Sequence, residues 1–180
     1  PAAYTSSNKA ELRPPGRFAL VRKENLMDLH FRPMRLHSRI QETPDTFTQN
    51  FVPLDGKPFV NRPGQFTVVK VGETGVCRPY TVSSTHGISE FVTTTVCRVP
   101  GGCASNWITT VPVGSTVHLA EPMGDFTCDD DPMEKFLLMA SGSGITPILS
   151  MTRWLLVHKP RVDIEVVYTT KSPAHIVQRD

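Results

Sequence analysis

The stretch KFLLMASGSGITPILSMTRWLL (135–156) constrains the fold more than any other. Its first seven residues, KFLLMAS (135–141), are mostly apolar without alternation, the pattern of a strand buried on both faces. A glycine turn, GSGITP (142–147), follows, and then Ile145, Ile148, Leu149, Thr152, Leu155 and Leu156 recur at helical spacing. VDIEVVYTT (162–170) reads as the next buried strand. Strand, glycine turn, helix and strand make a parallel βαβ unit, because parallel strands need a crossover and the helix supplies it. Pro147 fits the first helical position and Thr146 the cap, while Gly142 and Gly144 let a nucleotide approach the backbone. The motif is not G-x-G-x-x-G, since its last position is Pro147, and taken alone it is a strand-to-helix turn.

One βαβ pair cannot bury both faces of its sheet, and the chain stops ten residues after the second strand. Residues 133–180 therefore read as the start of a truncated nucleotide-binding domain, and the chain as a piece of a longer protein. Ahead of it the texture is different. MRLHSRI (34–40) alternates apolar and polar residues, and TFTQNFVPL (46–54), GQFTVVKV (64–71), SEFVTTTVCRV (89–99) and STVHLAEP (115–122) are strand-like. Strands at this spacing, punctuated by Gly and Pro, predict an antiparallel barrel or sandwich over 34–128, with one helical turn at ASNWITTV (104–111). DDDPMEK (129–135) reads as a solvated linker, and residues 1–33, with Pro14-Pro15-Gly16 and no periodicity, as an N-terminal extension.

Composition narrows the function. A net charge of +2 over 180 residues offers no bulk attraction for nucleic acid or anionic membrane. The longest apolar runs are far too short to span a bilayer. Cys77, Cys97, Cys103 and Cys128 include no Cys-x2-Cys pair and no His at zinc-like spacing, so no metal site is expected. They read as reduced thiols of a cytoplasmic protein.

CRPYTVSST (77–85) is the chemically loaded stretch. The forked guanidinium of Arg78 suits a pyrophosphate, the ring of Tyr80 offers a stacking face, and Thr81 and Ser84 supply short hydroxyls. Together they describe a site for a flat heteroaromatic carrying phosphates; the plainer alternative is a strand with solvated polar residues. In GGCASNWI (101–108), Gly102 and Ser105 stand at the start of the short helix, where free N–H groups favour an anion. Ser105 as a simple N-cap and Trp107 as a core anchor are compatible with that role.

Arg-x-Tyr-Thr-x-x-Ser (78–84), Gly-x-x-Ser-x-x-Ile (102–108), EPMGDF (121–126) and GSGITP (142–147) occur in one order that resembles the ferredoxin–NADP reductase superfamily. The resemblance is strongest to its NADH-dependent branch that serves hybrid-cluster protein. It implies β plus α/β architecture: an antiparallel Greek-key FAD-binding barrel followed by an incomplete Rossmann-like parallel βαβ nucleotide domain. It implies FAD as cofactor, with Arg78, Gly102 and Ser105 at the pyrophosphate, Tyr80 stacked on the isoalloxazine, Thr81 near its N5 edge and Ser84 closing the motif. It places NADH as substrate at Gly142, Gly144, Thr146 and Pro147. Where relatives often carry an arginine near the nucleotide ribose, YTTKSP (168–173) has Lys171. The implied activity is an FAD-dependent NADH oxidoreductase that passes electrons, through a 2Fe-2S domain outside this chain, to hybrid-cluster protein. No side chain need act as acid or base. The alternatives are the reductase component of an oxygenase or a flavohaemoglobin-type module, or a non-catalytic flavin-binding regulatory module.

Overall fold

The computed structural model describes residues 29–178. Strand β1 (Phe31–Gln41) opens three residues ahead of the expected Met34, so the end of the expected extension is part of the first strand. Residues 1–28 of that extension lie outside the described residues. The early start turns on Arg32, which is buried and satisfied. It donates to both Asp55 carboxylate oxygens (2.9 and 2.8 Å) and to the carbonyls of Lys57 and Pro58. A charged residue with that many partners can stand in a barrel wall.

After β1 come β2 (Thr46–Pro53), β3 (Phe66–Lys70), β4 (Cys77–Thr81), β5 (Val92–Cys97) and β6 (Thr116–Ala120). They form one antiparallel sheet in the order β4-β3-β6-β1-β2-β5. A bridge between Val82 and Thr94 ties the end of β4 to β5 and closes the sheet into a barrel. Period-two alternation fills it: Met34, Leu36, Phe51, Val69, Val96, Val117 and Leu119 point inward. Helix α1 (Cys103–Thr110) joins β5 to β6 and adds Ile108 to that core. The outward hydroxyls of β2 and β5 pair instead, Thr48 with Thr95 at 2.8 Å and Thr93 with Asn50 at 2.9 Å.

The second unit has two parallel strands, β7 (Lys135–Ser141) and β8 (Asp163–Thr169), joined through helix α2 (Ile145–His158). The apolar runs predict both strands to be buried throughout, and neither is. Phe136, Leu138, Ala140, Ile164 and Tyr168 pack on α2, whereas Leu137 and Met139 are 62% and 68% exposed on the opposite face. The reason is layer count: one helix covers one face of a two-stranded sheet. Leu156, expected on the packed stripe of α2, is exposed as well, because the stripe runs through Ile145, Ile148, Met151 and Leu155. The linker is anchored at its first residue. Asp129 accepts two hydrogen bonds of 2.7 Å from Arg62 of the barrel, which hold its carboxyl below the usual range.

Candidate functional site

Strand β4 carries the first part of the site, and its register explains its residues. Val82 donates its N–H to Gln65 O at 2.9 Å, and Thr67 and Val69 stand opposite Tyr80 and Arg78. By two-residue alternation the peptide groups of Arg78 and Tyr80 face β3, and Pro79 turns to the open edge. A proline there forfeits no ladder hydrogen bond, since it has no N–H to offer.

On this strand Arg78 is exposed, and its guanidinium makes one hydrogen bond, to the neighbouring Cys77 carbonyl at 2.8 Å. No carboxylate among the described residues pairs with it. Tyr80 is half-buried and packs against the barrel core, as does Trp107 of α1. Burial pushes its hydroxyl pKa up, the Arg78 charge pulls it down, and Cys103 at the start of α1 is near enough to act on it.

The start of α1 differs in detail from the sequence expectation. Gly102, not Ser105, is the capping residue, with extended backbone and no side-chain cap. Ser105 is buried in the first turn, where its Oγ accepts the Val99 N–H at 3.1 Å. That bond tightens the loop instead of presenting the hydroxyl outward. A Cβ on Gly102 would stand 2.7 Å from Ser105 Oγ and 3.1 Å from Val99, so this glycine is required by packing. No acceptor among the described residues takes up the N–H groups of Cys103 and Ala104.

Past Thr81 the chain leaves the site and enters the seam with the second unit. Ser84 is buried, its Oγ accepting the Thr93 N–H at 2.9 Å and its carbonyl held by Asn61 (3.2 Å) and Ser150 (2.9 Å). It shapes the turn that ends the motif. Thr85 Oγ1 reaches Ser150 O at 3.1 Å, and Arg153 donates to Ser83 O at 2.7 Å and to Gln178. Burial lowers the Arg153 pKa, and the charge of Glu42 works against that shift. At the same seam Gly64, with φ of +96°, lets the barrel approach Phe126 and Met151 closely.

The glycine turn is the second part of the site. A 3-10 turn, Gly142–Gly144, runs directly into α2 and lies against β5 and β7. The helix consequently starts at Ile145, which makes Pro147 its third residue instead of its first. That position is still within the turn whose N–H groups have no helical acceptor. Thr146 does not cap; its Oγ1 donates to Ser143 O at 3.0 Å. Gly142 needs its hydrogen side chain for a φ of +51°, but Gly144 has a φ of −64°, and a Cβ there would have nothing within 4 Å. Neither conformation nor packing asks for glycine at 144, and a ligand lying on the backbone would.

Strand β5 touches both parts, through Val82 at the end of β4 and through the glycine turn. The glycine turn and the end of β4 thus lie against the same strand. Ser84 and Ser105 are buried, their hydroxyls spent on the N–H groups of Thr93 and Val99. Sequence reasoning missed Asn61, Gly64, Ser150 and Arg153, which act mainly on main-chain groups and carry no motif. The described residues offer groups suited to FAD: an exposed guanidinium with no carboxylate partner among them, helix-start N–H groups with no acceptor among them, and a half-buried ring on the edge strand of the sheet.

The family model for the oxidoreductase FAD-binding domain matches residues 33–128. The chain is 42% identical to NADH oxidoreductase HCR of Escherichia coli over 149 residues, covering 82% of this chain and 46% of that protein. It is 37% identical to the glycine betaine monooxygenase reductase subunit of Chromohalobacter salexigens over 141 residues, 77% of this chain and 38% of that one. The chain thus spans less than half the length of either relative. In fold it resembles phthalate dioxygenase reductase, with a TM-score of 0.74 at 24% identity over 84% of this chain and 47% of that structure. By its match over residues 33–128, the chain belongs to the oxidoreductase FAD-binding domain family.

Proposed function

We propose that this chain is the flavin-binding and nucleotide-approach portion of an NADH-dependent reductase. The observation that supports it most is the exposed, carboxylate-free guanidinium of Arg78 beside Tyr80 and the open start of α1. Arg78 would hold the FAD pyrophosphate in its fork, with the Cys103 and Ala104 N–H groups on the other side. Tyr80 would lie against the isoalloxazine, and Thr81 would bring a hydroxyl to its N5 edge. Gly142 and Gly144 would let the nicotinamide nucleotide lie on bare backbone. Bound FAD would supply the hydride and single-electron redox chemistry, and the residues named here would bind and orient it. No acid or base from this chain enters the step.

Identity to the Escherichia coli NADH oxidoreductase supports NADH as the donor and a redox protein as the acceptor. On the sequence resemblance the acceptor is hybrid-cluster protein, reached through a 2Fe-2S domain outside this chain, in the cytoplasm. No helix among the described residues is long and apolar enough to cross a membrane. A second reading, the reductase component of an oxygenase, is favoured by the 37% identity to the glycine betaine monooxygenase reductase subunit.

The test is the absorption spectrum of the FAD-reconstituted chain, wild type beside Arg78→Ala, before and after anaerobic NADH. Loss of a charge-assisted contact, about 1.5–3 kcal/mol, weakens flavin retention roughly ten- to hundredfold in the variant. Wild-type flavin bleaches with NADH. Equal retention by both proteins would remove Arg78 from the site, and a wild type that takes up no flavin would sink the reading.

A further inference from the structure

The helix that begins at the glycine turn is bolted at its middle to the segment that follows Thr81. Ser150, fully buried, donates to Ser84 O at 2.9 Å, and its own carbonyl accepts from Thr85 Oγ1 at 3.1 Å. One turn further along α2, Arg153 donates to Ser83 O at 2.7 Å and to Gln178, whose N–H in turn meets Glu42 of the barrel at 3.2 Å. Three consecutive residues of the barrel, Ser83, Ser84 and Thr85, are thereby held by one helix. The other end of these residues is fixed too, by Ser83 N–H to Thr93 O at 2.8 Å and Ser84 Oγ from Thr93 N–H at 2.9 Å. Thr81 is two residues upstream of this clamp, and Gly144, which directly precedes the first residue of α2, is six upstream of Ser150.

We propose that Ser150 and Arg153 are positioning residues that set the approach of the nicotinamide nucleotide to the flavin. The inference rests on the function proposed above. Because helix and strand are joined by main-chain carbonyls, the distance between the glycine turn and Thr81 is fixed by the clamp and not by the sequence of either motif. Hydride transfer is steep in donor–acceptor geometry, and a displacement of about 1 Å changes a rate by about a hundredfold. The clamp touches neither Arg78 nor Tyr80, so its loss leaves flavin affinity alone.

The experiment compares the FAD-loaded full chain as wild type, Ser150→Ala, Arg153→Met and Arg153→Lys. Amide hydrogen exchange of the flavin-free proteins is followed in parallel. We expect the Val82–Thr85 segment to exchange at least about tenfold faster in Arg153→Met, with β1 and β2 unchanged. The rate of flavin bleaching at saturating NADH falls roughly ten- to hundredfold, the flavin dissociation constant stays within about twofold, and Arg153→Lys recovers most of the rate by keeping one donor on Ser83. Unaltered exchange in Arg153→Met and Ser150→Ala would overturn the clamp whatever the kinetics show. Faster exchange with wild-type bleaching rates would overturn the positioning role. A wild type that binds flavin and does not bleach would remove the proposed NADH reaction and the kinetic role with it, while the exchange data still decide the clamp.

Discussion

The barrel and the βαβ unit solve the same burial problem with opposite success. The barrel closes its sheet through the Val82–Thr94 bridge, and its inward residues meet one another. The βαβ unit covers one face with α2 and leaves Leu137, Met139 and Val167 on the other face in the open. The first part of the site stands on the self-sufficient structure, the second on the incomplete one, and the seam through Ser83–Thr85 is what lends the second its place. Precision at the glycine turn is thus borrowed from the barrel.

The contrast is sharpest in a pair of truncations. Phe51→Ala, at a fully buried position opposite Val92, leaves a cavity and destabilises by about 3–5 kcal/mol. Leu137→Ser, on the bare face, changes stability by less than about 0.5 kcal/mol. Chemical denaturation of both variants checks the difference, and equal losses would mean that the βαβ face is not open in solution. Next in size is Gly64→Ala. Its Cβ would lie 2.2 Å from the Phe126 carbonyl oxygen at a φ of +96°, and strain of about 1–3 kcal/mol follows. Limited proteolysis at the 129–135 linker should accelerate in this variant with the barrel still intact; a barrel cleaved equally fast would deny that the seam is a separate boundary.

The smallest effect is set by pH. Hydrogen bonds from Arg32 hold the Asp55 carboxyl down to about 2 from 3.8, and Arg62 holds Asp129 below its ordinary value. A carboxyl with a depressed folded pKa stabilises fully above its unfolded value and loses that contribution as pH falls through the folded one. Melting temperature should therefore decline from just above pH 4 towards pH 2, and Asp55→Asn should flatten part of that slope. A slope unchanged by the substitution would deny the barrel ion pair its share. Asp129→Asn applies the same measurement to the linker and separates the two regions.

Much of this was legible in the sequence. Alternation in MRLHSRI and the β-branched and aromatic residues of TFTQNFVPL and SEFVTTTVCRV suit walls with one face inward, so the barrel strands declare themselves. KFLLMAS misled, because an unbroken apolar run reports the faces a strand is suited to bury and says nothing of which layers are present. Arg32 hid the start of β1, since a buried arginine becomes intelligible only once Asp55 and the carbonyls of Lys57 and Pro58 are seen around it. Arg78 and Tyr80 stand out in the sequence because the roles proposed for them belong to their side chains. Ser150 and Arg153 were not, because they act on main-chain carbonyls from a part of α2 that reads as ordinary helix.

Pro79 has a consequence for the life of the protein in a crowded cell. The segment Cys77–Thr81 is the free margin of the sheet, and a margin of unpaired peptide groups invites a strand from another molecule. With Pro79 at the middle of that margin, an incoming strand finds no donor where the ladder would need one. The same residue that keeps the margin clear of other chains would keep it clear for the proposed flavin.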